Sequence, residues 1–268
     1  MRNRLFESVC VILGAGLVLG GCKAHQKQEV VVLAQGPDLN TLSVRPEYAT
    51  AAIDAAGGLD AWTGTKQLQL DCIVTFFRPD GTFYLTEQSF NIYPWSNSLE
   101  ISAREPQGAF AWRLSRGQFE VLHGADQVKD LPMAVASRCF AEAILGIVTV
   151  PACFLDRSAE FTAQGGAVKM HGQWYQPIQR KARQSAEASQ AASEAVFYQD
   201  RDNSVVDMIR FACKAGNKSL TVRGYDYKKV EKDGPAVPTK IEIFSGSGGA
   251  DAQDRIVKID CHRFVRAQ

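Results

Sequence analysis

The feature that most limits how this chain can fold is a hydrophobic pattern with a period of two, which starts near residue 67. Leu68, Leu70, Cys72, Val74 and Phe76 are apolar, and the residues between them are mostly polar. Successive side chains of a strand point to opposite faces, so this alternation is typical of a strand with one buried face. Pro79-Asp80-Gly81 supplies a turn after it. The pattern therefore predicts the first hairpin of an antiparallel sheet.

Short apolar runs between turn residues continue on both sides of one central segment. About five strands are predicted before that segment and six or seven after it. The later members of the first group are 99–103, 109–114 and 118–123, and the second group is 168–170, 173–179, 195–199, 205–213, 219–230, 239–244 and 255–264. Residues 182–195 contain almost no large apolar group, which indicates a solvent-exposed insertion.

Two helices are predicted. The first begins at Pro46, where the missing N–H costs nothing, and ends at Gly57-Gly58, which favours a left-handed cap. The second lies between Pro132 and Pro151 and has apolar residues on more than one side, so it should be buried on more than one side. The predicted fold is α+β and mainly β. It is a curved antiparallel sheet, a half-open β-barrel, with helices on the concave side.

The order of these elements resembles bacterial exported proteins with the lipoprotein-carrier fold, of the LolA and LolB type. The resemblance runs over residues 46–264. It rests on the apolar helix that ends in a proline and on four stretches: Gly57 to Trp62 after a helix, the strand with Trp174-Tyr175, Phe197 to Asp200 leading into 205–211, and Val237 to Ile241. It implies a half-open β-barrel with helices on its concave side and an apolar cavity.

The N-terminal segment resembles a bacterial lipoprotein signal. Arg2 and Arg4 precede the apolar stretch 9–19, about eleven residues, which is too short to span a bilayer of ~30 Å. Leu19-Gly20-Gly21-Cys22 resembles the lipobox, which implies cleavage before Cys22 and lipidation of its thiol and amine. Cleavage elsewhere, or an uncleaved anchor, are the alternatives.

The predicted organisation follows from these two resemblances. Residues 1–21 are the signal peptide, 22–45 a lipidated tether, and 46–268 a LolA/LolB-like half-barrel domain. Anchored acceptors of that family have a lipobox and carriers lack one, so the chain resembles the anchored members. The expected location is the cell envelope, facing the periplasm. Lys23 is not the aspartate that favours retention in the inner membrane, so the outer membrane is preferred.

The charge balance argues against a nucleic-acid partner. The chain has 30 Lys+Arg and 29 Asp+Glu, and removal of Arg2, Arg4 and Glu7 with the signal leaves 28 of each. A neutral chain lacks the basic surface that nucleic acids select. The neutral balance also argues against a polybasic segment that binds anionic lipids, so attachment to the membrane should come from the acyl chains.

No motif in the sequence predicts catalysis or a metal centre. HExxH, CxxC and GxSxG are absent, and His25, His123, His171 and His262 do not occur at metal-ligand spacing. We therefore expect no catalytic residues, no metal, no cofactor and no enzymatic activity.

Five cysteines remain after the signal and Cys22, and an odd number leaves at least one without a partner in the chain. Export permits disulfides. Cys72, Cys213 and Cys261 alternate in step with the apolar residues of their strands, so their side chains should point inward. They are either small core residues, or two of them form a disulfide. Cys139 and Cys153 flank the apolar helix, and a bond between them needs a break in that helix.

The aromatic and aliphatic residues carry the functional prediction. The candidates for a cavity lining share the inward side of a strand or lie on the apolar helix: Phe110, Trp112, Leu114, Phe140, Ile144, Ile147 and Trp174. A packed core and a cavity for acyl chains both fit this pattern. The first hypothesis is a membrane-anchored, non-enzymatic protein that binds the acyl chains of a lipid or lipoprotein. The alternative is an envelope interaction or assembly protein, with a filled core, that docks a protein partner through its sheet. The oligomeric state stays open.

Overall fold

The computed structural model describes residues 46–105, 108–123, 137–155, 159–182, 194–213, 218–246 and 255–268. The predicted signal peptide, Cys22, the tether and residues 183–193 of the predicted insertion lie outside these residues. The helices are α1 (Glu47–Ala55), α2 (Leu59–Thr63), α3 (Ser137–Val148) and α4 (Val150–Cys153). The strands are β1 (Gln67–Phe77), β2 (Phe83–Tyr93), β3 (Ser98–Glu105), β4 (Gly108–Ser115), β5 (Gln118–His123), β6 (Ala159–Ala163), β7 (Val168–Met170), β8 (Gln173–Ala182), β9 (Ala195–Asp200), β10 (Val206–Cys213), β11 (Lys218–Lys229), β12 (Ala236–Ser245) and β13 (Arg255–Ala267).

The described strands form one antiparallel sheet, in the order β5-β4-β3-β2-β1-β13-β12-β11-β10-β9-β8-β6, with β7 also paired to β8. The chain starts at the middle of the sheet and runs outward to β5. It then crosses through α3 to the other edge and returns, so that β13 pairs with β1. The sheet is curved and does not close, and the predicted fold class is confirmed.

Helix α3 fills the concavity of the sheet. It contacts β3 and β4 in one half and β10, β11 and β12 in the other. Eight of its twelve residues are buried, as expected for a helix with apolar groups on several sides. Phe140 lies among three aromatic rings, with centroid distances of 5.4 Å to Phe76, 6.3 Å to Phe90 and 6.4 Å to Trp112. The core is therefore organised around this helix.

Helices α1 and α2 attach to the turn between β11 and β12. Gly57 and Gly58 have φ angles of 108° and 93°, the left-handed conformation predicted for this pair. A Cβ atom on Gly57 would lie 3.0 Å from the carbonyl oxygen of Gly234, so the close approach also requires glycine. The amide of Ala236 donates to the carbonyl oxygen of Ala56 at 2.8 Å, and the buried Trp62 donates to the same oxygen at 3.0 Å.

Two details differ from the sequence prediction. Strand β6 was not predicted, because only Ala159 of its five residues is buried and the alternation is weak. Helix α3 ends at Val148 and not at Pro151, because Thr149 leaves the helical path while its hydroxyl donates to the carbonyl oxygen of Leu145 at 2.6 Å. Pro151 lies in the first turn of α4, where its missing N–H leaves no hydrogen bond unmade.

Two disulfides settle the cysteine pairing that the sequence left open. Cys72–Cys261 joins the neighbouring strands β1 and β13, and Cys139–Cys213 joins α3 to β10 with a Cα–Cα distance of 5.7 Å. Cys153 takes part in neither bond, and its Sγ lies 3.6 Å from the hydroxyl of Thr149. The second disulfide fixes the first turn of α3 covalently to the sheet.

We expect Phe140→Ala to lower the free energy of unfolding by about 3–5 kcal/mol, because it opens a cavity among three aromatic rings. Urea denaturation followed by circular dichroism measures this change. Phe83→Ala is the matched control, since Phe83 is 63% exposed, and it should change the free energy by less than ~0.5 kcal/mol. Equal effects of the two substitutions would contradict a core built around α3.

Candidate functional site

A small cavity lies between the C-terminal half of α3 and the concave face of the sheet. Its volume is about 70 Å³. Its walls come from α3 and α4, from β4, from the β2–β3 and β4–β5 turns at one end of the β3–β4 pair, and from β8, β9 and β10. The lining residues are Asn97, Leu114, Gly117, Glu142, Leu145, Gly146, Cys153, Arg180, Ala195, Phe197, Ile209 and Phe211.

The lining divides into an apolar interior and a polar rim. Leu145 of α3 and Phe197 and Phe211 of the sheet belong to the interior. Asn97, Glu142 and Arg180 belong to the rim, and Glu142 also accepts a hydrogen bond from Arg138 at 2.9 Å. An apolar interior with a few polar groups at the mouth is typical of sites for amphipathic small molecules.

Gly146 allows α3 to lie this close to β10. A Cβ atom at this position would be 2.7 Å from Cδ1 of Ile209, so a larger residue would push the helix and strand apart or displace the Ile209 side chain. A glycine inside an otherwise apolar helix is the signal in the sequence that could have indicated a close packing contact here.

The cavity is too small to hold an acyl chain in this conformation. A dry cavity of about 150 Å³ accommodates one benzene molecule, and the cavity beside α3 measures about 70 Å³. Elsewhere on the concave face, Phe76, Phe90 and Trp112 pack against Phe140 of α3, whereas Cys72 and Phe110 line a second, open pocket of about 480 Å³. An acyl chain could therefore bind in the cavity beside α3 only if α3 moved relative to the sheet.

The structure places the predicted lining residues in three environments. Leu114 lines the cavity. Trp174, at the start of β8, is 49% exposed and lies apart from the others. The remaining five are packed in the core around α3: Phe110, Trp112, Phe140, Ile144 and Ile147.

The sequence did not identify the opposite wall of the cavity. Leu145 and Gly146 face β9 and β10, whereas Phe140 and Ile144 were expected to line the site. The apolar helix has candidates on every side, so its sequence alone does not say which side adjoins unfilled space.

A second cluster, which combines Tyr175, Asp207 and Arg223, lies on strands β8, β10 and β11. The hydroxyl of Tyr175 donates to Oδ2 of Asp207 at 3.2 Å, and Nη2 of Arg223 lies 3.9 Å from the same oxygen. Burial raises the pKa of Asp207 to about 6, and the charge of Arg223 opposes this rise without cancelling it. The pKa of Tyr175 rises to about 12, first because of its burial and then because of the carboxylate beside it. The cluster can bind a proton near neutral pH.

Within the described ranges, no group of three or more His, Cys, Asp or Glu residues has the arrangement of a metal site. In the same part of the chain, no helix is long and apolar enough to cross a bilayer.

Comparison with solved structures finds proteins to which this chain is similar. A LolA superfamily protein from Nitrosomonas europaea is 11% identical and superposes with a TM-score of 0.52, over 84% of this chain and 95% of that protein. A DUF1329 family protein from Desulfovibrio piger is 9% identical with a TM-score of 0.46, over 83% and 94% of the two chains. No family model matches the sequence, and no curated protein matches it significantly. The first likeness shows a LolA-like fold for the part of the chain that it covers.

Because the ionised form of Asp207 is disfavoured in the folded state, its contribution to stability should fall as the pH rises from about 4 to about 6. We expect Asp207→Asn to remove this fall and to raise the free energy of unfolding at pH 7.5 by about 1–3 kcal/mol, with little change at pH 4. Urea denaturation of both proteins across this pH range measures the difference.

Asp226→Asn is the control for this prediction. The exposed carboxylate of Asp226 binds Lys240 at 2.6 Å, and this contact lowers its pKa. Its loss should therefore reduce stability slightly at neutral pH, in the opposite direction. A parallel pH response of wild type and Asp207→Asn would show that Asp207 does not titrate in this range.

Proposed function

We propose that this protein is a membrane-anchored lipoprotein that binds acyl chains of a lipid or lipoprotein and catalyses no reaction. The observation that supports this best is the apolar cavity beside α3, inside a half-barrel with a LolA-like fold. The polar rim suits a ligand with an apolar tail and a polar head group.

Burial of the chain supplies the affinity in this proposal. Each methylene removed from water contributes ~0.8 kcal/mol. Separation of α3 from the sheet exposes apolar surface, and the bound chain covers that surface again. The net binding free energy is then the difference between two large terms: burial of apolar surface by the ligand and burial of the same surface by α3. A small difference fits a protein that takes up a ligand and releases it again.

The anchor belongs to the same proposal. Lipidation of Cys22 would hold the protein at the membrane, with the outer membrane preferred because of Lys23. A tether of 22–45 reaches at most about 80 Å when fully extended, at ~3.3 Å per residue. The domain could therefore meet ligands well away from the bilayer surface.

A second candidate function is supported by the filling of the concave face by α3. In this alternative the protein docks an envelope partner through its sheet. Among the described strands, β5 forms one edge of the sheet and exposes Val121 and Leu122, and an edge strand can pair its backbone with a partner. Lipid binding distinguishes the two functions, since only the first requires it.

We expect native mass spectrometry of the purified protein to show the added mass of a bound lipid. We also expect a fluorescent fatty acid to bind to the cavity in competition with that lipid. Leu145→Phe fills part of the cavity with a larger side chain and should weaken binding of the probe at least fivefold. Ile144→Val is the matched control, because Ile144 is equally buried on α3 but does not line the cavity. Absence of both bound lipid and probe binding in the unmodified protein would favour the docking function.

We expect Cys22→Ala to release the protein from the membrane, or to leave the signal segment attached, because no thiol remains to carry the lipid. Membrane fractionation and the intact mass of the protein measure this outcome. Cys153→Ala is the control and should leave both unchanged. Wild-type mass and membrane association in Cys22→Ala would contradict the anchor.

A further inference from the structure

We propose that the β7–β8 hairpin contacts the surface of a phospholipid bilayer through Trp174 and Lys169. The inference rests on the proposed lipid anchor at Cys22 and is independent of acyl binding. It adds a second contact between the protein and the membrane. This contact fixes which end of the domain faces the bilayer.

The hairpin projects from one end of the sheet. Met170 and Gln173 are paired, and His171 and Gly172 between them have φ angles of 49° and 85°. Positive φ angles at both central residues are typical of the tight turn that holds two antiparallel strands in a fixed register. Strand β9 pairs with β8 only from Tyr175 onward, so Gln173 and the residue after it extend past the end of β9.

Trp174 has the surroundings of a side chain at a membrane interface. It is about half exposed, and Lys169 lies directly opposite it, so both side chains lie on the same exposed face of the hairpin. On the other side, the amide of the exposed Arg201 donates to the carbonyl oxygen of Trp174 at 3.0 Å. An indole ring between two cationic residues matches the boundary between acyl chains and phosphate groups.

The other side chains around the hairpin preserve this match. Val168 is exposed on the opposite face, so each face of the hairpin carries an exposed apolar side chain. Asp202 places one exposed carboxylate beside Arg201, and the carboxylate of Asp200 is buried within its own turn. The exposed surface therefore carries more cations than carboxylates, which suits a surface that contains anionic lipid.

The chain enters the domain at the same end. Helix α1 follows Pro46 directly. The carbonyl oxygen of Tyr48 accepts a hydrogen bond from Nε2 of Gln199 at 3.0 Å, and Gln199 pairs with Gln176, two residues from Trp174. A lipid anchor on the segment before Pro46 would therefore hold the hairpin near the bilayer. Because an anchor raises the local concentration of lipid around the domain, a weak second contact is sufficient.

Another exposed apolar pair, Phe83 and Leu85, lies at the opposite end of the sheet. Both residues follow the turn after β1. Antiparallel pairing in the order β1-β13-β12-β11-β10-β9-β8 gives β1 and β8 the same direction, so the end of β1 and the start of β8 lie at opposite ends. Since α1 lies at the Trp174 end, the hairpin and not this pair is expected to meet the bilayer.

The experiment measures quenching of tryptophan fluorescence by brominated lipid. The full-length lipidated protein is reconstituted into vesicles of phosphatidylethanolamine and phosphatidylglycerol, with or without bromine on the acyl chains. We expect bromine to lower the emission by about a quarter, because Trp174 is one of four tryptophans and two of the others are fully buried. Trp174→Phe should abolish the difference. Trp95→Phe, which removes the half-buried tryptophan of the β2–β3 turn, is the matched control and should preserve it.

Further variants test the charge and the orientation. Lys169→Glu should reduce the quenching at least twofold, because it places a carboxylate against the lipid phosphates. Arg78→Glu changes the charge of an exposed residue at the opposite end and should have no effect. Phe83→Trp combined with Trp174→Phe moves the exposed tryptophan to the opposite end, and this protein should show no quenching.

Flotation of the vesicles separates the inference from the anchor on which it rests. Wild-type protein that floats with the vesicles but shows no quenching dependent on Trp174 would overturn the inference and leave the anchor in place. A hairpin that docks a protein partner instead of lipid would give this result. Quenching in the Phe83→Trp, Trp174→Phe protein would also overturn the inference, because the opposite end would then face the bilayer. Failure to float would refute both the anchor and the inference.

Discussion

The burial of α3 in the concavity of the sheet is the interaction on which the rest of the structure depends. A curved sheet of this width has a large apolar face, and one helix with buried residues on several sides covers it. The same contact joins the two halves of the sheet, which are distant in the sequence on either side of α3. It also sets the dimensions of the candidate site, because the cavity lies between α3 and the concave face.

Most of the fold could be predicted from local patterns. The period of two in β1 and the turn residues after it fix a hairpin, and β5 and β7 were predicted with the bounds that the structure has. Strand β6 could not be predicted, since its side chains are mostly exposed and its pairing with β8 alone makes it a strand. The pairing of β1 with β13, and of Cys139 with Cys213, joins segments far apart in the sequence, and no local signal specifies such contacts.

The candidate site was predictable only in part. The sequence identified α3 and Leu114, but an apolar helix that is buried all round does not show which of its sides adjoins a cavity. Asp207 was not singled out from the sequence. Burial among neighbouring strands raises its pKa, and Arg223 and Tyr175, which lie on two other strands, oppose that rise. The position of the cavity and the pKa of Asp207 are therefore set by neighbours that only the folded chain brings together.

The pairing of β1 with β13 has a consequence for the biogenesis of the protein. Strand β13, which follows all the other described strands in the sequence, lies in the centre of the sheet next to β1, and not at an edge. Contacts between residues so far apart in sequence form slowly, because a long loop must close first. A chain in which β13 has not yet been synthesised lacks the strand that joins the two halves of its sheet. Such a chain stays unfolded for longer, which is the state in which a polypeptide can be threaded through a membrane.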